Sequence, residues 1–68
     1  MIKHCSAVEN RIIADIMKLC ARKGYNSVLL SKRNGGGWSF VPYVGGVPFM
    51  CSSLEMVNIV VGSLPDLI

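Results

Sequence analysis

Two glycine clusters, Asn34-Gly35-Gly36-Gly37 and Gly45-Gly46, set the terms on which this chain can fold. Glycine takes a positive φ without steric penalty, so each cluster marks a tight reversal of direction. The clusters cut residues 27–50 into three short runs, 27–33, 38–44 and 47–50, rich in β-branched and aromatic side chains. That pattern predicts three antiparallel strands joined by two hairpins. Asn34-Gly35 is the dipeptide expected of a two-residue turn.

Side chains alternate across a strand with a period of two. With an even number of residues in each turn, Leu29, Ser31, Trp38, Phe40, Val44, Val47 and Phe49 share one face, which is expected to meet the core. Val28, Leu30, Lys32, Ser39, Val41, Tyr43 and Met50 then share the other. This second face is far from polar, whereas a free antiparallel sheet normally turns a cleaner polar side to water. It is therefore expected to be covered by a second copy or a partner. Proline cannot donate to a ladder, so Pro42 should bring a bulge or an early break of the middle strand.

A helix is expected on each side of the sheet segment. Residues 1–5 read as a short, extended lead-in. Ser6 and Glu9 then have the spacing of a capping box, in which each side chain satisfies the other residue's backbone N–H. The helix should run to Lys23, with Arg22 and Lys23 suited to its negative end and Gly24 ending it. Its apolar arc centres on Ile12, with Val8, Ile16 and Leu19. Ile13, Met17 and Cys20 form a flank that one sheet face should not need. After the third strand, Ser52 and Glu55 repeat the capping-box spacing. A second helix from Ser53 to about Ser63 places Leu54, Val57, Val60, Val61 and Leu64 on one face, and Pro65 stops it. Its β-branched residues leave a strand over 56–61 as the alternative. The fold class read from this order is α+β: one domain over residues 1–68, two layers, α-β-β-β-α, with both helices on one face of a three-stranded antiparallel sheet.

At 68 residues and 51% hydrophobic, the chain has more apolar side chains than a domain of this size can enclose. Association, most simply a homodimer, is the expected remedy. The three cysteines are an odd number, which closes no disulfide framework. There is no leader-like apolar run and no stretch of about 20 apolar residues, so a cytoplasmic protein with reduced thiols and no membrane partner is expected.

The residues give little to chemistry. His4, Cys5, Cys20 and Cys51 lack the paired spacing of a structural zinc site, so no metal is expected. His4 and Cys5 are sequence neighbours, which sends their side chains apart, and none of the four carboxylates is matched with another for acid–base work. Residues 34–37 lack the Gly-Lys-Ser/Thr of a phosphate loop. No catalytic residue and no cofactor are expected, and the chain is not read as an enzyme.

Two binding roles remain. One is a protein-interaction module, an accessory or inhibitor protein of the kind phages and mobile elements encode, gripping a larger protein with Val28, Leu30, Trp38, Val41, Tyr43 and Met50. The other is a basic nucleic-acid-binding module, RNA or DNA, using Arg11, Lys18 and Arg22 of the first helix with Lys32, Arg33 and Trp38 of the hairpin. The net charge of +3 helps such binding without implying it. The order of elements is similar to that of the double-stranded-RNA-binding domain and of the small toxin nucleases that share its fold. The former carries a lysine cluster at the start of its last helix, where this chain has Ser52-Ser53-Leu54-Glu55-Met56. The latter need a strand histidine, which this sheet lacks. The resemblance therefore transfers no site residue.

Overall fold

The computed structural model describes residues 6–68. The lead-in expected over residues 1–5, with His4 and Cys5, lies outside them. The elements run α1 (Ala7–Lys23), β1 (Leu29–Lys32), β2 (Trp38–Val41), β3 (Phe49–Cys51) and α2 (Leu54–Ser63), with the strands in the order β1-β2-β3, all antiparallel. This is the two-layer α-β-β-β-α fold read from the sequence.

Helix α1 begins as its capping box dictates. The Ser6 hydroxyl accepts the Glu9 N–H at 3.1 Å, and the Glu9 carboxylate accepts the Ser6 N–H at 3.0 Å. It ends at Gly24, whose φ of 96° only glycine takes freely. The second cap falls one residue later than expected. Ser53, not Ser52, caps α2 by accepting the Met56 N–H at 3.3 Å. Met56 then stands at the third helical position, so Glu55 cannot complete a box. Residues 56–61 are helical, and the backbone turns extended at Leu64, as a residue before proline must.

The register corrects the expected faces. Lys32 pairs with Trp38, Leu30 with Phe40 and Leu29 with Val41. The loop between β1 and β2 therefore holds five residues, 33–37, an odd number. Asn34 does not take a positive φ; Gly35, Gly36 and Gly37 do. Gly37 is fixed twice over, because a Cβ there would stand 2.8 Å from the Cys51 carbonyl oxygen. An odd loop turns every β1 side chain to the opposite face from an even one. Leu30 is thus buried, and Leu29 is 60% exposed. Between β2 and β3 the expected facing survives, since Trp38 pairs with Cys51 and Phe40 with Phe49. The connection is longer, however: β2 breaks before Pro42, and residues 42–48 form a loop rather than a two-residue turn.

The core joins Leu30, Trp38, Phe40 and Cys51 from the sheet to Ile13, Ile16 and Cys20 of α1 and Leu54, Val57 and Val61 of α2, with Tyr25 at one end. Lys32, on the same face as Trp38, reaches Glu9 of α1 at 3.5 Å, so both helices cover one side of the sheet. The apolar arc of α1 is rotated from its expected centre. Ile13, Ile16 and Cys20 are buried, Ile12 and Leu19 only partly, and Val8 is 69% exposed. Helix α1 packs against α2, and two residues of the flank without an obvious use, Ile13 and Cys20, are in the interior.

The face reversal predicts a contrast. Leu30→Ala should cost about 2–4 kcal/mol through lost burial and a cavity. Leu29→Ser should stay within about 0.5 kcal/mol. Urea titration of both variants measures it; equal costs would contradict the register.

Candidate interaction surface

The flipped strand redistributes the residues expected to grip a partner. Leu30 and Trp38 are core residues, at 8% and 4% exposure, and Val28 is partly buried against them. Val41 and Met50 do lie on the open face of the sheet, with Leu29 added beside Val41. Ser31 and Ser39 form the rung between, so this face is only half apolar. Tyr43 has left the sheet for the loop over 42–48 and is 57% exposed.

That loop is where exposed apolar groups gather. Val44 and Val47 are 85% and 79% exposed, and Phe49 is exposed at the start of β3. Opposite the loop runs the tail over 65–68. Between them lies a cleft of about 360 Å³ lined by Tyr25, Pro42, Tyr43, Val47, Pro48, Phe49, Leu64, Pro65 and Leu67. The lining contains both tyrosines and all three prolines of the chain, and no charged side chain. Proline has few conformers to lose, so such a wall is shaped before anything meets it.

The tail is held in place from α1. Lys23 Nζ donates to the Leu64 carbonyl at 2.9 Å, to the Gly62 carbonyl at 3.4 Å and to Asp66 Oδ1 at 3.1 Å. A cation here also meets the negative end of α2. The Leu67 N–H donates to the Lys23 carbonyl at 2.7 Å, and the Tyr25 hydroxyl donates to the Pro65 carbonyl at 2.6 Å. Leu67 packs over Gly24, where a Cβ would come within 2.9 Å of its own Cβ. The sequence marked Lys23 and Gly24 only as helix-ending residues. Their second task, shaping one wall of the cleft, depends on contacts about forty positions away.

The cationic residues do not assemble with the tryptophan. Lys32 Nζ lies 5.7 Å from the centre of the Trp38 ring and is paired with Glu9. Trp38 is buried beneath it and offers no face for a base. Arg11, Lys18 and Arg22 stand exposed along α1, and with Arg33 they make no ion pair among the described residues. Burial pushes the Cys20 and Cys51 thiols above their ordinary range, so both are neutral at pH 7. Among the described residues no three of His, Cys, Asp and Glu converge as metal ligands, and no helix is long and apolar enough to cross a membrane.

Comparison with known protein families, with curated proteins and with solved structures finds no match to this chain.

Two predictions follow from these contacts. Tyr25→Phe should lower stability by about 1 kcal/mol, because the Pro65 carbonyl loses its donor; chemical denaturation reads this, and no change would deny the clasp. The Glu9 carboxyl lies below its ordinary value, chiefly because it accepts the Ser6 N–H, with Lys32 adding to the effect. The unfolded chain therefore binds this proton first as pH falls. The stabilisation is complete above the ordinary glutamate range and is lost as pH drops through the lower folded value. Glu9→Gln should flatten that part of the acid-unfolding curve.

Proposed function

We propose that this chain is a non-enzymatic protein-interaction module whose contact surface is the uncharged end of the molecule: the loop over 42–48, the cleft beside it and the adjoining open sheet face. One observation carries the reading. No charged residue occurs from Asn34 to Leu54, a run of 21 residues, and that run supplies most of the exposed large apolar side chains around the cleft. Exposed apolar surface gathered in one place, with tyrosine, phenylalanine and methionine in it, has the composition of an interface centre. The role is that of an accessory or inhibitor protein, which acts by covering a surface on a larger protein. The neutral buried thiols suit a reducing, cytoplasmic setting.

A second reading keeps one observation in its favour. Arg11, Lys18 and Arg22 form an exposed stripe on α1 that also holds Asp15, and among the described residues none of the three cations is in an ion pair. Such a stripe fits phosphates, and binding through it would weaken steeply with salt, with a log–log slope of about −3 for three contacts.

One experiment separates the two. Val47→Asp puts a charge at the cleft rim, and an Arg11→Glu/Arg22→Glu double variant reverses the stripe. Affinity capture of a protein partner should fail for Val47→Asp and persist for the double variant, and mixed nucleic acid should not bind even at low salt. Salt-sensitive nucleic-acid binding lost only in the double variant would overturn the proposal.

A further inference from the structure

We infer that the uncharged end is also self-complementary, and that two copies of this chain join there about a two-fold axis, Val44 of each seated in the cleft of the other. This deepens the proposed contact surface by naming its first partner as a second copy.

Charge restricts where two copies can meet. A two-fold interface apposes one patch to the same patch, so any net charge in it meets its own sign. With a net charge of +3 and the unpaired cations of α1, most of this molecule repels its copy. The cleft lining is the exception, since no residue in it is charged, and Asp66 beside it is neutralised by Lys23. Two copies can approach there without opposing like charges.

Shape supplies the second part. A self-complementary patch must carry both a projection and a recess. Val44, 85% exposed, is the projection, on the same loop that forms one wall of the recess. A cleft of about 360 Å³ has room for an aliphatic side chain and its neighbours. Its apolar wall makes no directional demand on what enters, so a valine fits it chemically.

Area closes the case. Tyr43, Val44, Val47, Phe49 and Leu67 are each between 41% and 85% exposed. Together they present on the order of 550 Å² per copy, or about 1,100 Å² over both, above the roughly 1,000 Å² expected of a specific interface.

Sedimentation equilibrium at micromolar concentration tests this. The wild-type chain should sediment at twice its 7.4 kDa, and Val44→Asp, at a side chain 85% exposed in the single copy, should sediment as the monomer with an unchanged circular-dichroism spectrum. A photoreactive residue at position 44 should cross-link to the tail over 64–67 of a second, isotopically labelled copy. A monomeric wild type, a dimeric Val44→Asp or cross-links confined to α1 would each overturn the inference. A monomer that still loses a partner on Val47→Asp would remove the two-fold and leave the proposed contact surface standing.

Discussion

Two helices can cover only one side of a three-stranded sheet, and the rest of this structure answers to that constraint. The strand β2 sits between its neighbours, and its Phe40 is fully buried while Trp38 is nearly so. Everything that packs well packs on that side. The opposite side has no layer of its own, and the chain is too short to build one. Burying one face of a small sheet therefore leaves apolar groups on the open face and in the loop where β2 hands the chain to β3, and others remain exposed on the helices and the tail.

The charges follow the same division. Six of them, Glu9, Arg11, Asp15, Lys18, Arg22 and Lys23, fall on α1, whose outer surface is solvated. The stretch from Asn34 to Leu54 has none. Most of the charge is thus on α1, while the loop over 42–48 and the lining of the cleft are neutral and apolar. Such an asymmetry leaves the apolar end free to meet another surface while the charged helix keeps the remainder hydrated.

Lys23 and Tyr25 link the two ends of the fold. The helix that opens the domain closes it, by supplying donors to the last carbonyls of α2 and to the tail. Those carbonyls would otherwise lack partners at the helix end. The clasp holds Pro65 and Leu67 against the loop over 42–48 and so gives the cleft its second wall. Stability and surface shape come from the same few hydrogen bonds.

The sequence by itself determined the elements and their order. Ser6 with Glu9, Gly24, the glycine clusters and Pro65 each act on backbone within a few residues, so their effects could be read without knowing the fold. It also showed that the chain holds more apolar surface than it can enclose. The tertiary structure alone decided which side chains that surface comprises. Whether Leu29 or Leu30 is buried depends on one residue of loop length, and Gly37 at the end of that loop lies so close to Cys51 on another strand that a Cβ would not fit. Trp38 is enclosed because it faces the core from the middle strand, among residues of both helices. Tyr25 forms a cleft wall because its hydrogen-bond partner, Pro65, lies forty positions along the chain. Local chemistry is written in neighbouring residues, while facing and enclosure are set by contacts between residues that the sequence keeps far apart.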